Sequence, residues 1–214
     1  GDHEISVINV DGTGLTKLTD NEYPDLFPAW SPDGRFIAFS SNRAKTEFGQ
    51  ALANAARNPF AVGSAPTDYD IYIMKPDGSD VFNWTQITDS NDSRPAWSPD
   101  GEWISFTKNL DYDYHIFRIP AVGGEAEQLT AAGGVNGGSR ATGQTRGTHE
   151  WHPAGDQIVY THSDPKVTGD LWIISVSDGE SRQITNHQSE ELRDPSAFVW
   201  PEFIEYTGYE GLEV

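Results

Sequence analysis

The chain contains no cysteine. Disulfides, thiolate metal sites and cysteine nucleophiles are therefore excluded, while the compartment is left open. Basic residues are scarce: 14 Lys and Arg stand against 33 Asp and Glu, a formal charge of -19. That balance excludes nucleic acid and anionic membrane surfaces as partners, because both would be repelled. It admits cationic partners, divalent cations or a saline habitat, and a solvated acidic surface accounts for it equally well. No apolar run approaches the roughly 20 residues of a membrane-spanning helix, so no membrane insertion is expected. No segment reads as a secretory leader, which predicts either a cytosolic chain or a mature, processed one. A Gly-x-Ser-x-Gly nucleophile elbow is missing, and the glycines of 133–138 do not lead a strand into a phosphate-binding helix.

What is present is aromatic area and turn residues. Seven Trp, eight Tyr and ten Phe accompany 21 Gly and 13 Pro in 214 residues. This suits one core built from many short strands. The strands repeat. Pro28-Ala29-Trp30-Ser31-Pro32-Asp33-Gly34 leads into Phe36-Ile37-Ala38-Phe39, and Pro95-Ala96-Trp97-Ser98-Pro99-Asp100-Gly101 leads into Trp103-Ile104-Ser105-Phe106. A weaker copy runs from His149-Glu150-Trp151 to Ile158-Val159-Tyr160, and another from Ser196-Ala197-Phe198 to Phe203-Ile204-Glu205-Tyr206. Between them lies a second signal: an apolar strand, a turn, and a short strand ending in threonine. Its copies are Ile5–Val10 with Leu18-Thr19, Ile71–Met74 with Gln86-Ile87-Thr88, Ile116–Ile119 with Gln128-Leu129-Thr130, and Leu171–Ile174 with Gln183-Ile184-Thr185. Alternating patterns with Asp-Gly or Gly-Gly between paired runs mark antiparallel hairpins.

Each repeat thus holds four strands, a to d, with strand a ending in the aromatic residue. Repetition at this period predicts an all-β fold, a small β-propeller of four four-stranded blades in a single domain spanning residues 1–214. The chain opens with strands c and d and closes with a and b, so 195–206 with 5–19 is expected to form a composite blade that closes the ring and hides its edges. The other blades are expected at about 28–88, 95–130 and 149–185. Trp30, Trp97 and Trp151 share one repeat position, which marks them as core between blades.

The Pro-Ala-Trp-Ser-Pro-Asp-Gly unit, Ser41-Asn42-Arg43, Met74-Lys75-Pro76-Asp77-Gly78 and the Gln-Ile-Thr strands resemble TolB-like propeller repeats, which are related to WD repeats and to the propellers of prolyl oligopeptidase-like peptidases. The resemblance covers nearly the whole chain. It implies fold more strongly than function, because this fold hosts many functions. Propellers of this family usually have six or more blades, so four is a departure.

Two insertions interrupt the repeat, at 44–67 between strands b and c and at 131–147 between strands d and a. Both connection types emerge on one side of the disc, so one face is elaborated and the other minimal. Binding residues concentrate on loops held by a rigid scaffold, which places the expected site on the elaborated face. A short helix fits 46–57, with Phe48, Leu52 and Ala55 on one side; 133–140 is flexible by composition. Candidate ligand-binding residues on that face are Tyr23, Asp25, Tyr69, Asp111, Asp113, Tyr114, Arg146 and His149, since tyrosine beside carboxylates suits sugar or peptide ligands. Asp20, Glu22, Asp89 and Asp92 supply oxygen donors of the kind calcium takes, and they serve equally as turn formers.

The expected function is a secreted or periplasmic binding propeller that recognises a protein segment or a saccharide through the loop-rich face, with calcium as a candidate aid. Two alternatives stand beside it. One is a metal-assisted carbohydrate-active enzyme resembling oligogalacturonate lyase, with His149, His187 and Arg193 as its candidate catalytic residues. The other is a structural repeat that forms a homo-oligomer.

Overall fold

A computed structural model describes residues 3–43, 69–85, 90–110, 113–137, 149–166 and 169–188. The expected helix at 46–57, the first insertion and the strands at 195–206 lie outside these residues.

The described chain is all-β. A hairpin of β1 (Ser6–Val7) and β2 (Thr16–Lys17) comes first. Blade 1 is an antiparallel sheet of β3 (Asp25–Trp30), β4 (Ile37–Ser41), β5 (Asp70–Met74) and β6 (Phe82–Asn83), in that order. Blade 2 repeats it with β7 (Asp92–Trp97), β8 (Trp103–Leu110), β9 (Asp113–Pro120) and β10 (Glu127–Gln128). The short strand β11 (Val135–Asn136) follows. Blade 3 holds β12 (His149–Trp151), β13 (Gln157–Ser163), β14 (Asp170–Ser175) and β15 (Ser181–Gln183).

The blades stack face to face, which explains why their middle strands are apolar on both sides. All five residues of β4 are buried. Ile37 and Phe39 pack with Tyr72 and Met74 against Ile5 of the hairpin. Ala38, on the opposite side of the same strand, packs with Ile71 and Ile73 against Ile104, Phe106, Phe117 and Ile119 of blade 2. Ile116 of blade 2 then meets Ile158, Tyr160 and Ile174 of blade 3. Alternation along each strand thus feeds two successive seams.

Local hydrogen bonds explain the sequence signatures. In the Ser-Pro-Asp-Gly turn the Ser31 hydroxyl donates to Asp33 Oδ1 (2.6 Å) and accepts from the Phe36 amide (2.9 Å). Ser98, Asp100 and Trp103 repeat this at 2.5 and 2.9 Å. In blade 3 His152 takes the serine's place and its ring meets Asp156 Oδ1 at 2.8 Å. The threonine closing each d segment has an equally fixed task. Thr19, Thr85, Thr130 and Thr185 accept the amides of Ile5, Ile71, Ile116 and Leu171 at 2.9, 3.2, 2.9 and 2.9 Å; in blade 1 the place falls to Thr85, after β6, and not to Thr88 of the expected Gln86-Ile87-Thr88 strand, which lies outside the described residues. Residues 5–19 therefore have the same c–d geometry as the three full blades. Among the described residues β1 pairs only with β2.

Residues 131–137 are not a loose loop. Val135 pairs with Tyr114 of β9 on one side and with Ser163 of β13 on the other, which joins blades 2 and 3 into one continuous sheet. Glycine here answers to space: a Cβ at Gly134 (φ +110°) would lie 2.5 Å from the Ser163 carbonyl oxygen. The glycine-rich composition that reads as flexibility in the sequence is what lets a strap enter a closed seam.

Candidate functional site

Among the described residues the strands a of the three blades, β3, β7 and β12, are edge strands, each paired on one side only. They stand side by side and are tied in sequence. The Trp97 indole donates to the Ala29 carbonyl at 3.2 Å. The Trp151 indole reaches the Ala96 carbonyl at 3.3 Å and Ser105 Oγ at 2.8 Å. Trp30 is 49% exposed. The three tryptophans thus play the inter-blade part expected of them in two instances, and the first is half open.

Each of β3 and β7 carries a bulge, between Leu26 and Ala29 and between Ser93 and Ala96. At the same position within each bulge a non-glycine residue has a left-handed backbone: Phe27 at φ 54° and Arg94 at φ 60°. Such residues cost of order 1–3 kcal/mol and persist where the surroundings hold them. Here the Arg94 amide donates to Ser40 Oγ of blade 1 at 3.0 Å. The Arg94 guanidinium lies over the Phe27 ring, 4.5 Å from its centre. Both side chains are partly exposed. Phe27 and Arg94 were not among the candidates read from the sequence. Their signal is positional: each lies three residues before the tryptophan of its repeat.

His149 follows on the next strand, buried, with Nε2 2.9 Å from Ser105 Oγ. Ser105 Oγ already accepts from Trp151 and lies 3.2 Å from the Ala96 carbonyl as donor, so it has room to accept from Nε2–H. Burial pushes the His149 pKa down to about 4, the Ser105 contact opposes this, and the Arg94 charge adds to it. His149 is thus a neutral member of the wall. Its partner is Ser105, whereas His187 has Nδ1 2.8 Å from Asp170 Oδ1. Arg146 and Arg193, the other members of the expected polar pocket, lie outside the described residues.

The acidic and tyrosine candidates fall into separate clusters, one per seam. Asp25 is buried beside the N-terminal hairpin, where Arg43 pairs with it at 2.7 Å and Asn21 Nδ2 donates at 2.9 Å. Tyr23 is close by, its amide on Asn21 Oδ1. Asp92 is fully buried between blades 1 and 2, with Ser90 Oγ donating at 2.9 Å and its own amide on the Tyr69 carbonyl at 2.7 Å. Burial pushes the Asp92 pKa up to about 6, against the pull of Lys108 and the hydroxyls of Ser90 and Thr85; Asp70 adds to the rise. Tyr69 is shifted up by burial and by Asp25. Asp113 and Tyr114 start β9, where the Tyr114 amide donates to Gly134 of the strap at 2.9 Å.

Asp20 is an exposed partner of Lys17 at 2.6 Å, and Glu22 is exposed. Asp89 and Asp111 lie outside the described residues. Among the described residues no three of His, Asp and Glu stand close enough to hold a metal ion. No helix among them is long and apolar enough to cross a membrane.

The seam of blades 2 and 3 holds a further polar group missing from the sequence reading. Asn136 Nδ2 donates to the carbonyls of Tyr114 (2.9 Å) and Ala132 (2.8 Å). With both amide hydrogens committed, Asn136 Oδ1 is an acceptor, so His162 Nδ1, at 2.8 Å, carries the proton. His162 Nε2 then faces Asp164 Oδ2 at 3.5 Å.

No protein-family model matches the chain. An uncharacterized peptidase of Bacillus subtilis is 27% identical over 177 residues, 83% of this chain and 21% of that protein. The Tol-Pal system protein TolB of Bordetella pertussis is 30% identical over 149 residues, 58% of this chain and 33% of that protein. The chain therefore spans a fifth to a third of these two relatives' lengths. Among solved structures, TolB from Acinetobacter baumannii superposes with a TM-score of 0.61 at 17% identity, over 85% of this chain and 37% of that one. An oligogalacturonate lyase in complex with manganese gives 0.55 at 14% identity, over 86% and 42%. The repeated Trp-Ser-Pro-Asp-Gly turns, the threonine-closed hairpins and these likenesses together show a β-propeller fold similar to that of TolB.

Proposed function

We propose that the protein is a non-catalytic binding module that holds a protein segment along the wall formed by β3, β7 and β12. The observation that carries this reading is the pair of left-handed residues, Phe27 and Arg94, which two successive blades turn out of their sheets at the same place. Strain repeated at equivalent positions, with an aromatic ring and a guanidinium on the partly exposed side chains, suits a contact surface better than a purely structural bulge. Tyr23, Tyr69, Asp113 and Tyr114, all partly exposed, belong to the proposed surface, whereas Asp25 is buried in its pair with Arg43 and drops out of it. The likeness to a Tol-Pal system protein supports a periplasmic or secreted location.

The enzymatic alternative through His149 has less support. Its ring is buried, tied to Ser105 and neutral to about pH 4, which suits a structural histidine. Self-assembly into a homo-oligomer has no specific observation in its favour.

Phe27→Asn tests the proposal, since asparagine tolerates the left-handed backbone. Peptide and glycan arrays are screened with the parent protein, and the affinity of each hit is then measured with the variant. A loss of about ten-fold or more at a nearly unchanged melting temperature is expected, in the range of a lost aromatic anchor. Unchanged affinity for every hit would remove the wall from consideration, and glycan hits without peptide hits would replace the protein segment with a saccharide.

A further inference from the structure

We propose that the segment held on this wall is proline-rich, extended in the polyproline form, with one of its backbone carbonyls on the Trp30 indole. This rests on the binding reading above and names its ligand class.

β3 and β7 are poor templates for an added strand, because their outward backbone groups are already used. In β7 the Asp92 amide donates to the Tyr69 carbonyl at 2.7 Å, and the Arg94 amide donates to Ser40 Oγ at 3.0 Å. Pro95, next in line, has no amide hydrogen to give. The Ala96 carbonyl accepts from Trp151 Nε1 at 3.3 Å and from Ser105 Oγ at 3.2 Å. β3 repeats the scheme. The Asp25 amide donates to the His3 carbonyl at 2.8 Å, Pro28 has no amide hydrogen, and the Ala29 carbonyl accepts from Trp97 Nε1 at 3.2 Å. The bulges disturb the spacing that a ladder needs. A peptide laid here as a strand would bury its own amides without acceptors, a cost that proline does not incur.

The wall does keep one donor. Trp97 and Trp151 each give their indole hydrogen to the strand a of the blade before. Trp30 stands at the same repeat position, is half exposed, and its indole has no partner among the described residues. An indole N–H only donates, so it calls for an acceptor. A polyproline segment is the complement: every residue shows a carbonyl, its prolines show no N–H, and the chain is extended before it binds. Its pyrrolidine rings are apolar and suit aromatic surfaces, which the partly exposed Phe27 supplies on the same strand as Trp30. Such a segment needs no charge, so the -19 of the chain does not repel it.

The probe is hexaproline, acetylated and amidated at its ends. It is compared with a capped hexapeptide of alternating threonine and valine, which favours strand addition. Both are followed through the tryptophan Nε1–H resonances of the full chain by NMR, with the Trp30 signal assigned from Trp30→Phe. Hexaproline is expected to shift the Trp30 resonance saturably, and the threonine–valine peptide to bind at least about ten-fold more weakly. Trp30→Phe keeps most of the ring and loses the donor, so it should weaken hexaproline about five-fold, read from the Phe27 amide. If that variant fails to fold, the two peptides on the parent protein decide. No shift at Trp30, unchanged hexaproline affinity in Trp30→Phe, or tighter binding of the threonine–valine peptide each overturns the proposal. The two readings fail separately: array hits that lack proline and are weakened by Phe27→Asn keep the wall and sink the proline class, whereas indifference to Phe27→Asn sinks the wall.

Discussion

The two seams that flank blade 2 use equivalent repeat positions and are held in different ways. Between blades 1 and 2 the closure is mainly by side chains, Phe106 and Phe117 against Ala38, Ile71 and Ile73, with, among the described residues, a single backbone bond from the Asp92 amide to the Tyr69 carbonyl at 2.7 Å. Between blades 2 and 3 the backbone itself closes the gap, because Val135 and Asn136 bond to both neighbours. Opening the first seam breaks isolated bonds and apolar contacts, whereas opening the second breaks a backbone ladder. Position for position, the lysine of the first (Lys108) becomes a histidine in the second (His162), and the proline before the tryptophan (Pro95) becomes His149. The repeat fixes where a polar group goes, and each seam chooses its sign.

The strap offers the strongest way to break this contrast. Gly134→Ala puts a methyl group against the Ser163 carbonyl at a backbone angle that alanine resists. A loss of about 3 kcal/mol or more is expected, from overpacking and strain together. Hydrogen exchange should show early opening at the amides of Tyr114 and Gly137, which bond to Gly134 and Thr161. If those amides stay as protected as the middle of β8, the strap is not what welds the seam.

A second contrast concerns pH. Asp92 holds its proton more tightly folded than unfolded, with a pKa of about 6 against 3.8, so its contribution to stability falls as pH rises from about 4 to about 6. His149 behaves oppositely. Its folded pKa is about 4 against 6.5, so stability is lost as pH falls from about 6.5 to about 4. Each is worth about 3 kcal/mol across its window, and in the parent protein they offset each other. Asp92→Asn should leave stability rising with pH through this range, and His149→Gln should leave it falling. Melting temperatures at half-unit pH steps check both, and parallel curves for the two variants would refute the assignment.

The smallest effect is expected at the tryptophan ladder. Trp97→Phe removes one indole donor to Ala29 while keeping most of the ring, which should cost about 1 kcal/mol. Denaturation of the variant measures it, and a loss as large as that of Gly134→Ala would mean that the first seam depends on this bond rather than on its apolar packing.

The fold was legible because its signals are periodic. The Ser-Pro-Asp-Gly turns and the closing threonines recur with the same local bonds each time, so their meaning can be read from any copy. The site was less legible. Asp25 and Asp92 look alike in the sequence, yet one is paired with Arg43 and the other carries a raised pKa in a seam, because their neighbours come from different blades. Phe27 and Arg94 were passed over because nothing in a residue's identity announces a left-handed backbone outside glycine and asparagine. The strap was misread for the opposite reason. Glycine in Gly133–Gly137 signals freedom locally, and only the walls of the seam show that the freedom is spent on entry into a tight space.

The indole ladder also has a polarity. Each blade gives a donor backward and shows a carbonyl forward, as Trp151 does to Ala96 and Trp97 to Ala29. In this one contact the two joints are alike, although the rest of each seam differs. Trp30, at the equivalent position of blade 1, is half open to solvent.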